Sequence, residues 1–345
     1  MADNRQILFA SRPRGWVTEE NFRLVATPLP APAEGQVLVR NHWLSLDPYM
    51  RGRMDAAKSY ATGAELGEVM VGGTVGEVIE SRSPRFKPGD RVVGTLVWQE
   101  YAVGDAGAVA KIDTSVAPAS CYLGVLGMPG VTAWMGLLDI AQPKEGETLV
   151  VSAASGAVGS VVGQLAKIRG CRAVGIAGGA MKCAYVTGEL GFDACVDYKA
   201  GNLYADLKAA VPNGIDVCFE NVGGEIFDTE LRLMNAFSRV TVCGLVSQYN
   251  ATEAYAMKNM RSILVNRIRM QGFIVSDRLE LWPRAIGELS NWFTTGRLRY
   301  RECVAQGLQS APAAFIGMLK GQNFGKQLVK LWGQTTNGAV PEHAS

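Results

Sequence analysis

Residues 147–169 read ETLVVSAASGAVGSVVGQLAKIR. Inside them, Ala154-x-Gly156-x-x-Gly159 is a GxGxxG pattern with alanine in the first place, and Ala157 and Val158 lie between the last two small positions. Small residues at this spacing suit a sharp turn whose backbone amides approach a pyrophosphate at a helix N-terminus, and Gly159 also lets that helix pack on its strand. Alone, the same residues would suit a tight packing turn. Flanked by a strand over 147–152 and a helix over 157–169, they read as a dinucleotide-binding unit.

The type of dinucleotide follows from a missing carboxylate. An NAD site places Asp or Glu at the end of the next strand, about 20 residues on, to hold the ribose hydroxyls. Here that place is Gly178-Gly179, and no Asp or Glu occurs between Gly159 and Glu189. Lys182 falls in the first turn of the following helix, and Tyr198 ends the next strand. A cation and a phenol without an acid suit a 2′-phosphate, so the expected cofactor is NADPH. Metal ligands are few: the only histidines are His42 and His343, and the closest cysteines (Cys171, Cys183, Cys195) are 12 apart, so no metal site is expected. Hydride chemistry without a Lewis acid favours a substrate whose developing charge can rest on hydroxyl or amide donors. Reduction of an activated C=C bond, which delivers charge to an enolate oxygen, fits that requirement.

The elements that must position these groups change character near residue 125. Before it lie short β-rich segments separated by Gly and Pro (QILFA, QVLVRNHWLSL, TVGEVIES, DRVVGTLVWQEYAV), a pattern for a mostly antiparallel barrel. After it, apolar strands alternate with helical segments, which implies a parallel, doubly wound sheet. RMQGFIV reads as a further strand of that sheet and residues 279–296 as a helix begun or bent at Pro283. From about Gly296 the rhythm stops, and the helix APAAFIGMLK and strand KQLVKLW are expected to return to the barrel. The fold class is therefore α/β, a Rossmann-type sheet over 126–296 beside a barrel over 1–125 that is completed by about 297–335, with a frayed tail over 336–345.

Composition narrows the partners. With 345 residues, 34 basic and 32 acidic side chains and a net charge of +2, the chain has no basic block suited to nucleic acid. The charge-free runs 115–138 and 148–166 are interrupted by prolines, glycines and serines and are not expected to span a membrane. The opening MADNRQILFASRPRG is polar within six residues, and the seven cysteines show no CxxC pair, so a cytoplasmic protein with reduced thiols is expected.

Seven motifs in order, LSLDPYMRGRM (44–54), FKPGDRV (86–92), GMPGVTAW (127–134), AASGAVGS (153–160), FENVGG (219–224), GFIVSD (272–277) and NFGKQLV (323–329), resemble the zinc-independent medium-chain dehydrogenase/reductases over nearly the whole chain. The match is to the leukotriene-dehydrogenase and prostaglandin-reductase group, particularly its bacterial curcumin-reductase-like members. That resemblance implies a GroES-like barrel beside a Rossmann domain, homodimers, and NADPH-dependent reduction of α,β-unsaturated ketones or aldehydes. It implies that Lys182 and Tyr198 hold the 2′-phosphate, that Asn221, Cys243 and Asn323 contact the cofactor, that Phe273, Ile274 and Val275 form a strand segment along the nicotinamide, and that Thr132 reaches the carboxamide. One departure is Val265, where several members carry a tyrosine four residues before RMxGF. The donor for the enolate then falls to Tyr49, Tyr60 or Tyr249, or to the cofactor's ribose hydroxyl. Two other activities fit the same sequence: quinone reduction, separable by acceptor profile, and NADPH binding without turnover.

Overall fold

In the computed structural model, residues 3–57 and 59–332 are described; the tail expected over 336–345 lies outside them. The N-terminal segment forms an antiparallel pair, β1 (Asp3–Phe9) and β2 (Phe22–Pro28). Strands β3 (Gln36–Ser45), β4 (Thr74–Ser81), β5 (Arg91–Gly94), β6 (Tyr101–Asp105) and β7 (Val109–Lys111) then pair antiparallel, and the short helix α1 (Tyr49–Arg53) follows β3. Alternating buried valines on β3, β4 and β5 (Val37, Val39, Val78, Val92) close the interior of this sheet.

A second helical passage, α2 (Met128–Trp134) running into a π-helical turn over Met135–Ala141, leads to the parallel sheet. Its elements alternate as β8 (Thr148–Ser152), α3 (Gly159–Ile168), β9 (Arg172–Ala177), α4 (Ala180–Gly188), β10 (Ala194–Asp197), α5 (Leu203–Ala210), β11 (Ile215–Glu220), α6 (Gly224–Leu231), β12 (Met234–Val242), α7 (Arg261–Asn266) and β13 (Arg269–Gly272). The six strands lie in the order β10-β9-β8-β11-β12-β13, all parallel, with the reversal of winding beside β8. In such sheets ligands collect beyond the C-terminal strand ends at the reversal, where the glycine-rich turn sits. After α8 (Trp282–Thr294), β14 (Glu302–Gln306) and β15 (Lys326–Lys330) add to the first sheet through β15 and β3, with α9 (Ala311–Leu319) between them. Phe315 of α9 meets Trp98 edge-on at 5.7 Å, and Trp98 stacks on Phe22 at 5.4 Å, which fixes this return on the N-terminal pair.

Several elements depart from the sequence expectation. Strands β2, β7 and β14 and helices α1, α2 and α7 are elements that the pattern of segments did not include. The strand expected over RMQGFIV ends at Gly272, because its partner β12 ends at Val242, opposite Gly272. Phe273, Ile274 and Val275 therefore do not form a strand along the nicotinamide; they lie past the end of β13. That carries them out of the sheet and into the cleft.

Candidate active site

A cavity of about 1200 Å³ runs between the two sheets. Of the residues singled out in the sequence, Tyr49, Tyr60, Thr132, Gly156, Ala157, Val158, Gly159, Gly178, Lys182, Tyr198, Asn221, Cys243, Tyr249, Phe273, Ile274, Val275 and Asn323 all line it. Ala154 does not; it is fully buried, and a Cβ on Gly175 would stand 2.6 Å from its methyl group. Ala154 thus packs the turn onto β9 instead of facing a ligand. Val265 also lies outside the lining, half exposed on α7.

The glycine-rich turn is built by close backbone contacts. Ala153 takes a left-handed φ of 52°, the Gly156 amide donates to its carbonyl at 2.9 Å, and a Cβ on Gly159 would stand 2.4 Å from that same oxygen. Gly159 is therefore required for the chain to enter α3 here. The amides of Ala157, Val158 and Gly159, at the entry to α3, have no hydrogen-bond partner among the described residues, and these residues line the cavity, a cradle whose partial positive charge suits a pyrophosphate.

Next to it, β9 ends in Gly178-Gly179 and α4 begins. A Cβ on Gly178 would meet the Tyr198 ring at 2.8 Å and the Lys199 side chain at 3.0 Å, so only glycine leaves the slot between them open. Asp197 accepts from the amides of Gly179 (2.7 Å) and Lys199 (2.9 Å), which ties the two rims of the slot together. Lys182 crosses the cleft, its Nζ donating to the Gly321 carbonyl at 2.8 Å. Burial and then the neighbouring Lys199 lower its pKa from the usual lysine value, as expected where two cations converge without an anion between them. Lys199 was not singled out in the sequence, although its adjacency to Tyr198 was a usable signal.

At the barrel end, three phenols converge. Tyr49 opens α1 after Asp47-Pro48, with Pro48 at φ −58° fixing the approach. Burial first, then the Asp47 carboxylate, push its phenol above the ordinary range, so it keeps its proton. Its hydroxyl has no hydrogen-bond partner among the described residues. Tyr249 is engaged, its oxygen accepting from the Leu245 amide at 3.4 Å, and Tyr60 is 60% exposed. Arg53, which the sequence reading passed over, lines the same end, and its buried Nε has no partner among the described residues. Asp47 is held by Lys326, whose Nζ reaches Asp47 Oδ1 at 2.5 Å and the Leu46 carbonyl at 2.9 Å, with both side chains buried. Ser45 Oγ donates to the other Asp47 oxygen. Nothing in the sequence linked residues 279 apart.

The wall between these ends is the turn after β11. Asn221 donates to the Ser152 carbonyl at 2.9 Å and so locks onto β8, while Glu220 Oε1 accepts the Val222 and Gly223 amides. Thr132 returns its hydroxyl to the Met128 carbonyl at 2.7 Å, and Asn323 donates to the Gly325 carbonyl at 2.8 Å. Cys243 is a neutral thiol, its pKa raised to about 12 by burial and by Glu220.

Tertiary structure also gathers a group that ligand counting along the chain did not show. Ligand atoms of Cys218, Glu220 and Glu230, all buried, lie within 4.8 Å of one another. Cys218 Sγ donates to Glu230 Oε2 at 3.2 Å, whereas Glu220 Oε2 and Glu230 Oε1 are both buried with no other partner. One proton between those two oxygens satisfies both. Burial, then the Glu220 charge, raise the Glu230 pKa well above the carboxylate range. A carboxyl whose folded pKa is raised destabilises the fold progressively as pH climbs from about 4.3, its unfolded value, toward the folded one, by on the order of 1.4 kcal/mol per unit. Glu230→Gln removes this term. Its melting temperature should exceed that of the wild type by a margin that widens from pH 5 to pH 8; parallel pH profiles would show that Glu230 is not the titrating group.

Comparison with known proteins gives the family. Residues 5–112 match the model described as the N-terminal domain of oxidoreductase, and residues 157–291 the model described as zinc-binding dehydrogenase. The second stretch contains no histidine in this chain. The chain is 49% identical over 339 residues to the NADPH-dependent curcumin reductase of Escherichia coli, spanning 96% of this chain and 97% of that protein. It is 42% identical over 322 residues to rat prostaglandin reductase 1, spanning 92% and 95%. The crystal structure of CurA from Vibrio vulnificus in complex with NADPH superposes with a TM-score of 0.92 at 49% identity, covering 95% of this chain and 99% of that one. On this combination of family models, full-length identity and shared architecture, the chain belongs to the zinc-independent medium-chain dehydrogenase/reductases, in the group that contains curcumin reductase and prostaglandin reductase.

Proposed function

We propose that the protein is an NADPH-dependent reductase of the C=C bond of α,β-unsaturated ketones and aldehydes. The observation that carries this reading is that one cavity holds, at one end, a glycine cradle with Lys182 and Tyr198 and, at the other, a protonated, unpartnered phenol on Tyr49. The cradle fits a dinucleotide: Gly159 lets the turn close against Ala153, and Gly178 keeps open the slot beside Tyr198 and Lys199 that a side chain would fill. NADPH, when bound, supplies the hydride that goes to the β-carbon. The chain's own residues do the rest. The amides of residues 157–159 and Lys182 bind phosphate, Phe273 to Val275 wall the cleft, and Tyr49 offers a hydrogen bond to the oxygen that becomes an enolate before the α-carbon takes its proton. Relatives support the class: a tobacco 2-alkenal reductase (NADP⁺-dependent) is 41% identical over 332 residues.

The division at about residue 125, with 297–335 completing the barrel, belongs to the same reading, as does a homodimer. β13 ends the parallel sheet with exposed residues, beside exposed Leu264 and Val265 on α7, and such an edge suits a second copy. A monomeric mass in light scattering would remove the dimer. A cytoplasmic location accords with seven free cysteines; no helix among the described residues is long and apolar enough to cross a membrane.

The test is NADPH oxidation against enals, enones, nitroalkenes and quinones, with the product identified. Formation of the saturated ketone or aldehyde is the expected result; turnover with quinones alone, or NADPH binding without oxidation by any enone, would overturn the assignment. For the cofactor, Lys182→Ala should weaken NADPH binding by about 1.5–3 kcal/mol, roughly 10- to 150-fold, the range of a charge-assisted phosphate contact. NADH binding should barely change. Equal losses in direct titrations of the two would show that Lys182 does not read the phosphate.

A further inference from the structure

The two rims of the proposed phosphate slot are joined from behind by a pair of thiols. Cys183 lies in the first turns of α4, directly after Lys182, and Cys195 lies on β10, three residues before Tyr198. Their sulfurs are 3.1 Å apart, and both residues are only partly buried. This is the one cysteine pair in hydrogen-bond contact among the described residues. We propose that Cys183 and Cys195 are a redox modification site that a peroxide converts to a disulfide, narrowing the slot that takes the 2′-phosphate. The proposal rests on the assignment of Lys182 and Tyr198 to that phosphate.

The chemistry balances with hydrogen peroxide as oxidant. The Cys183 thiolate attacks one peroxide oxygen and breaks the O–O bond; with one proton taken up, water leaves and a sulfenic acid remains. The Cys195 thiol then attacks the sulfenic sulfur, the S–S bond forms, and the displaced hydroxyl leaves with the thiol proton as a second water. Two thiols lose two electrons and the peroxide gains them. Cys183 is the attacking sulfur because the Cys195 S–H donates toward it and because it sits near the N-terminus of a nine-residue helix beside Lys182. Burial pushes both thiols up, but the shared hydrogen bond works against that at Cys183, which accepts it, and adds to it at Cys195, which suits the thiol that resolves.

The geometry also gives the direction of the effect. Closing a gap of 3.1 Å to a bond of about 2.05 Å draws the first turns of α4 toward β10 by about 1 Å. The opening is narrow, since a Cβ on Gly178 would stand 2.8 Å from the Tyr198 ring. Drawing α4 toward β10 therefore narrows the opening between Gly178, Lys182 and Tyr198.

Both cysteines fall on one tryptic peptide, residues 183–199, because no Lys or Arg lies between them. The full chain treated with hydrogen peroxide should yield this peptide two hydrogens lighter and closed to alkylation at both sulfurs, and a thiol reductant should restore it. In the oxidised enzyme KM for NADPH should rise about threefold or more while KM for NADH changes little, as expected for a displaced phosphate contact. Cys183→Ser and Cys195→Ser should each resist the change. Oxidation confined to other cysteines would overturn the site, and a 183–195 disulfide with unaltered NADPH kinetics would overturn its effect. Failure of the phosphate assignment itself reads out separately, as equal losses of NADPH and NADH binding in reduced Lys182→Ala.

Discussion

Tyr49→Phe should lower kcat/KM for an enone by roughly ten- to a thousandfold while leaving NADPH affinity nearly unchanged, the range for loss of one transition-state donor. The phenol has the features that role needs. It lines the cavity, its ring is set by Pro48 and the start of α1, and its hydroxyl is not committed to any described residue. Burial and Asp47 disfavour its ionisation, so it remains a donor across the neutral range. The effect should appear mainly in kcat, because the hydrogen bond strengthens as charge reaches the oxygen. A Tyr49→Phe enzyme with wild-type turnover would take the residue out of the mechanism and pass the role to Tyr60 or Tyr249. Of those two, Tyr249 already accepts from Leu245 and Tyr60 is largely exposed, so each would have to reorient.

Lys326→Met should be the most damaging single change to stability, costing about 3–5 kcal/mol, because it leaves the Asp47 carboxylate buried without its cation. Lys326 and Asp47 have side-chain exposures of 4% and 7%, and the lysine also supports the Leu46 carbonyl, so the loop leading to Tyr49 loses its anchor. A fall in Tm of about 4–7 °C is expected for a chain of this length. Surviving enzyme should lose kcat/KM more than NADPH affinity, since the glycine cradle lies on other elements. Asp47→Leu combined with Lys326→Met should recover part of the stability, because the pair is then removed instead of broken. A single variant melting with the wild type would show that the ion pair contributes nothing here.

Much of the molecule is legible in the chain because the relevant signals are local. The small-residue turn 154–159 follows its strand and precedes its helix within about twenty residues, and the gap at Gly178-Gly179 is read one strand later. The alternation of apolar strands and helices determined the parallel sheet, and Gly/Pro-bounded β segments determined the barrel. The cofactor class followed from a missing acid and a present lysine. Where the local signal was thin, boundaries slipped: RMQGFIV is apolar to its end, but β12 offers no partner past Val242, and hydrogen bonding across strands decided where β13 stops.

What the sequence determined by itself was therefore the two-part α/β fold, the dinucleotide turn, the family and the chemistry they imply. Tertiary structure alone decided that Lys326 anchors the turn before Tyr49, that Arg53 faces the cleft, that Ala154 turns inward, and that Glu220 and Glu230 are placed to share a proton. It also brought Cys183 against Cys195. A turn or a helix forms from residues within a few positions of one another, so composition and period report it. Contacts across 10 to 279 positions exist only after the strands take their register and the packed layers fix which side chains meet.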